Sequence, residues 1–171
     1  DLGAGERVDR RVPLVVGLVG MVATIVAARG TFPGIGNDAT SYIAIADHLA
    51  AGKGLGYFLE PKLGLWPPGF PVLLALPRWL FDVDPQYTAL VVNVLTPPAI
   101  AFLSHSILRS LCRDDRIITA GVVVATLGPA TLSQTYMVQT EPTLIVFVLV
   151  TVWALFRFAA THRWTYFALA V

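Results

Sequence analysis

The sequence predicts an all-α polytopic membrane protein, a transmembrane helix bundle with extracytoplasmic juxtamembrane helices in its first outer loop. Three observations predict it. The 171 residues are 56% hydrophobic and only 13% charged, where soluble domains carry roughly a quarter charged residues; mean hydropathy is +0.69. Four stretches are long and apolar enough to span a bilayer. Between the first two lies a long polar-to-amphipathic loop, from Gly30 to Asp84.

The spans run from Val12 to Ala28, Thr88 to Leu108, Ile117 to Val138 and Pro142 to Ala160. Each has roughly 17 to 22 residues, against the ~20 that a hydrocarbon core of ~30 Å requires. A fifth begins at Trp164 and the chain closes at Val171 inside it. The expectation is therefore the N-terminal part, residues 1–171, of a larger transmembrane domain, a fragment inactive in isolation. Arg7, Arg10 and Arg11 before the first span, with Ala27-Ala28 near its end, also fit a cleaved signal peptide. Arg29 stands where a cleavage region is small and neutral, and more spans follow, so an uncleaved anchor is the better reading.

The outer loop, residues 29–87, contains two short amphipathic segments. In 39–51, Tyr42, Ile45, Ala46 and Leu49 share one stripe at helical spacing. Gly52-Lys53-Gly54-Leu55-Gly56 ends that helix as a connector; it lacks the Lys-Ser/Thr ending of a phosphate loop. Trp66-Pro67-Pro68 then sets an extended approach to a second helix over 68–81. Its apolar part, Phe70 to Phe81, has roughly 12 residues, about 18 Å as a helix, too short to span. It reads as interfacial, with Arg78 and Trp79 at headgroup depth. Within the spans, Pro97-Pro98 implies a kink, Gly128-Pro129 a bend, and Asn93 a hydrogen bond to a neighbouring helix.

Charge sets the orientation. If residues 29–87 stay on one side, Arg7, Arg10, Arg11, Arg109, Arg113, Arg116, Arg157 and Arg163 all face the other, eight of the 12 basic residues. By the positive-inside rule that side is the cytoplasm, so the N-terminus is cytoplasmic and the loop extracytoplasmic in a multi-pass cell-membrane protein. A net charge of +1 with no clustered basic face argues against nucleic acid as a partner. The one cysteine, Cys112, cannot pair within the chain and reads as a small packed thiol.

Two carboxylates then emerge on the outer face: Asp38, after the first span, and Glu141, before the fourth. An acid near membrane depth is costly and points to function. Each also has a structural reading, Asp38 as helix N-cap and Glu141 as an acid at a helix start beside Pro142. Asp47 and His48 lie on the polar side of the first short helix and read as solvated; two neighbours do not make a metal site.

A first span, then Asn37-Asp38 with Ser41-Tyr42 and a short helix ending in Gly-x-Gly, then Pro67-Pro68-Gly69-Phe70-Pro71, a basic turn, and Thr140-Glu141-Pro142 heading a later span resembles membrane glycosyltransferases of the GT-C superfamily. The likeness is to the polyprenyl-phosphate-sugar-dependent, protein-mannosyltransferase-like and aminoarabinose-transferase-like branch, and it covers nearly the whole chain. The resemblance implies transfer of a sugar from a polyprenyl phosphate to a hydroxyl of a lipid, glycan or protein acceptor. It implies Asp38 as the catalytic carboxylate, with Glu141, Lys62 and Tyr42 as substrate contacts. Many members have two adjacent acids where this chain has Asn37-Asp38. A general base would take the acceptor proton, and Lys53, Lys62 or a divalent metal could stabilise the departing phosphate. The alternatives are half of a transporter or lipid flippase, or a non-catalytic membrane scaffold.

Overall fold

The computed structural model describes residues 10–31, 34–56 and 67–171. The protein is an all-α polytopic membrane protein. Its helices are α1 (Arg11–Thr31), α2 (Asn37–Ala50), α3 (Gly69–Phe81), α4 (Pro85–Leu111), α5 (Asp115–Leu127), α6 (Pro129–Thr135), α7 (Glu141–Thr161) and α8 (Trp164–Ala170). Four are long and apolar enough to cross a membrane: α1, α4, α5 together with α6, and α7.

The bundle is built on α4, which packs against α1, α5 and α7. Its contact with α1 is close because small residues meet the diproline. A Cβ added to Gly17 would lie 2.8 Å from Pro98 Cα, and one on Gly20 would lie 2.6 Å from Pro97 Cβ. Small residues that admit a neighbouring backbone are how helices associate in lipid, where apolar burial supplies no driving force. Pro97 and Pro98 are accommodated within α4, which is assigned as one continuous helix. Trp153 of α7 reaches the same helix and donates through Nε1 to Ser106 Oγ at 3.0 Å.

The third span is interrupted where expected. Gly128 separates α5 from α6, with Pro129 at the first position of α6. A Cβ on Gly128 would meet Val124 O at 2.5 Å, so no larger residue fits this turn unchanged. The helical part stops at Thr135, three residues short of the expected Val138, because residues 136–138 leave the helix to pair with another loop.

Outside the long helices, α2 and α3 pack on each other and on the start of α4. Tyr42 and Phe70 meet edge to face at 5.4 Å; Ala39, Ala46, Leu74, Ala75, Ala89 and Val138 complete the cluster. The α2 C-terminus is a Schellman turn. Gly52 N–H donates to Leu49 O and Lys53 N–H to His48 O, with Gly52 at φ 70°, a conformation glycine adopts without steric cost. With 13 residues, α3 extends about 20 Å, too little to span. Its outer face leaves Val72, Leu73, Leu76, Trp79, Leu80 and Phe81 exposed, as a helix lying in an interface requires.

Candidate functional site

At one end of the bundle, two loops that follow and precede membrane-length helices are joined by backbone. Gly34 N–H donates to Tyr136 O at 2.8 Å and Val138 N–H donates to Gly34 O at 3.1 Å, a single parallel bridge between Gly34 and Met137. From it α2 departs at Asn37 and α7 at Glu141. The bridge thus brings together the helix starts that hold Asp38 and Glu141.

Asp38 is in the first turn of α2. The expectation that it caps this helix is overturned: the helix begins at Asn37, Gly36 holds the N-cap position, and no side chain caps it. A carboxylate within the first turn still benefits from the helix dipole. Asp38 is half-buried and heads a stripe at i, i+3, i+4 and i+7 whose other members, Ser41, Tyr42 and Ile45, are buried. It therefore starts the packed face of α2.

Tyr42, one turn on, links the two halves. Its ring is in the apolar cluster, and its hydroxyl lies 3.5 Å from Thr140 Oγ1, next to Glu141. Burial of the ring makes it a packing element of the site wall. Glu141 is exposed at the first position of α7, followed by Pro142. Lys62 and Trp66 lie outside the described residues.

Polar contacts from the membrane-length helices reach this end. Asn93 on α4, fully buried, donates through Nδ2 to Met137 O at 2.6 Å. Its target is a loop carbonyl rather than a helix. Deeper, Thr24 of α1 donates to Thr135 Oγ1 of α6 at 2.9 Å. Buried polar atoms without a hydrogen-bond partner among the described residues concentrate here: Thr88 Oγ1, Asn93 Oδ1, Gln134 Oε1, Gln139 Oε1 and Thr143 Oγ1. Each such atom costs about 1–3 kcal/mol, and orphaned groups in a native structure call for a reason beyond packing.

A second feature lies at the far end of α2. An open cleft of about 800 Å³ is lined by Asp47, His48, Lys53, Arg78, Trp79 and Asp82, among others. Asp47, expected in solvent, is instead ion-paired with Arg78 at 3.4 Å, and Arg78 also holds Asp82 at 3.0 Å. The pairing ties α2 to α3. The cleft also removes Lys53 from the chemistry expected of it. Fourteen residues, nearly all helical, separate it from Asp38, so the two are about 20 Å apart along the helix axis. One sugar phosphate cannot touch both.

Sequence reading missed the loop bridge, the Asp47–Arg78 pair, and His105, which is buried on α4 at 4% exposure. The signal for the ion pair was present in an acid and a base on two adjacent amphipathic helices. The bridge is made by backbone groups and has no residue signature. Among the described residues, no three His, Cys, Asp or Glu side chains form a group that could hold a metal. Fold and site together define a helix bundle of membrane-spanning length in which the loops leading into the helices that carry Asp38 and Glu141 are joined by backbone at one end. No protein-family profile, curated protein or solved structure matches the chain.

Proposed function

We propose that this chain belongs to a membrane glycosyltransferase of the GT-C type, using a polyprenyl-phosphate-linked sugar donor at the extracytoplasmic face. The observation that carries the reading is the backbone bridge that joins the starts of α2 and α7, and with them Asp38 and Glu141, beside an interfacial helix. In the reaction, an acceptor hydroxyl oxygen attacks the anomeric carbon of the donor sugar. The bond from that carbon to the phosphate oxygen breaks, polyprenyl phosphate leaves with the electron pair, and the hydroxyl proton passes to the Asp38 carboxylate.

Glu141, exposed at the other helix start, contacts the acceptor or positions the sugar. Lys62 or a divalent cation would supply the positive charge for the departing phosphate, since Lys53 is too far away. The exposed apolar side of α3 suits a donor whose head must stand at headgroup depth while its tail remains in lipid. The cell membrane and the outward orientation of this end rest on the arginine distribution.

The test is sugar transfer by the intact protein in proteoliposomes supplied with polyprenyl-phosphate sugars. Asp38→Asn preserves shape and is not needed as a cap, so folding stays near native while transfer falls roughly 10²-fold or more, the usual scale for a general base. Glu141→Gln costs less. Near-native transfer by Asp38→Asn would refute the assignment. A transporter reading draws on the break at Gly128; substrate counterflow without sugar transfer in the same vesicles would favour it.

A further inference from the structure

We infer that Asn93 is a positioning residue for the two carboxylates, acting through the carbonyl of Met137. The inference rests on the proposed function for its chemical meaning, but its geometry stands separately. Asn93 is fully buried on α4, and its Nδ2 donates to Met137 O at 2.6 Å. Gly34 straddles Met137: its N–H donates to Tyr136 O and its carbonyl accepts from Val138 N–H. One side chain on the central helix thus fixes a peptide that is itself paired with the loop ahead of α2.

The consequence is positional. Only two residues lie between Gly34 and Asn37, where α2 begins, and three between Met137 and Glu141, where α7 begins. The amide tethers Met137, and through the bridge Gly34, to α4. The spacing between Asp38 and Glu141 is thereby referred to α4, the helix on which α1, α5 and α7 also pack. The bond is bought at a cost, because Asn93 Oδ1 remains buried without a partner among the described residues. An apolar residue would avoid that cost, so packing alone does not explain an asparagine here.

The test is disulfide formation between Gly34→Cys and Met137→Cys on a Cys112→Ala background, in membranes. A Cβ on Gly34 would lie 3.4 Å from Met137 Cγ, close to the geometry a disulfide needs. With Asn93 present, cross-linking is rapid and nearly complete. Asn93→Leu lowers its rate roughly 2- to 10-fold, the factor that loss of one hydrogen bond implies. Asn93→Ser, too short to reach Met137 but small and polar, does the same if the leucine variant accumulates poorly.

Transfer by the same substitutions, made without the added cysteines, supplies the second readout: kcat falls while the donor KM changes little, as expected when reacting groups are misplaced but binding is kept. Unchanged cross-linking in both variants would overturn the positioning role. So would slowed cross-linking with kcat intact. If the native protein transfers no sugar, the glycosyltransferase reading fails, and slowed cross-linking in the Asn93 variants still upholds the clamp.

Discussion

The two ends of the bundle are held by different kinds of interaction. At the arginine end, connections are short and secured locally. Asp114 caps α5 by accepting from Arg116 N–H at 2.8 Å, Arg109 pairs with Asp115 at 2.6 Å, and α4 ends only four residues before α5 begins. The carboxylate end has two additional helices, a backbone bridge between residues about a hundred apart in sequence, and, among the described residues, most of the buried polar atoms without partners. Local capping suffices to turn a chain around. Long-range polar fastening, retained at a cost in unpaired atoms, indicates that the relative placement of particular groups is under constraint at that end.

The contrast can be sharpened by substitution. The largest stability effect belongs to neither end but to the contact that supports both. Gly20→Leu must force α1 away from Pro97 and costs about 1–3 kcal/mol or more, as overpacking does; thermal unfolding in detergent measures it. A variant as stable as the native protein would show that α1 and α4 do not meet through these residues. A smaller effect is expected at the arginine end. Asp114→Ala removes a cap and costs about 1 kcal/mol, with the proposed sugar transfer by the surviving folded protein unchanged. A loss of turnover there, beyond the loss of folded protein, would break the division between a structural end and a functional one.

Much of this organisation is legible in the sequence. The long helices follow from apolar length, and the break at Gly128-Pro129 from residues that cannot continue a helix. The interfacial character of α3 follows from a stretch too short to span. Asp38 was misplaced by two positions, because α2 begins at Asn37 and leaves the cap to Gly36. Gly17 and Gly20 give no local signal of their partners; only the three-dimensional approach to Pro97 and Pro98 explains them. The bridge at Gly34 and Met137 was illegible for a deeper reason, since backbone hydrogen bonds are available to nearly every residue. Asn93 was expected to bond across to a helix, and its polarity was read correctly while its target was not.

The claim that Asp38 and Glu141 share one membrane face, opposite the arginine turn, is tested most directly by cysteine accessibility on a Cys112→Ala background in sealed cells. Ile35→Cys and Glu141→Cys sit at the two joined loops and Arg113→Cys at the turn, and all three positions are exposed. A membrane-impermeant thiol reagent is predicted to label positions 35 and 141 from outside and position 113 only after permeabilisation. Labelling of 113 from outside, or of 35 and 141 from opposite sides, would contradict the shared extracytoplasmic site.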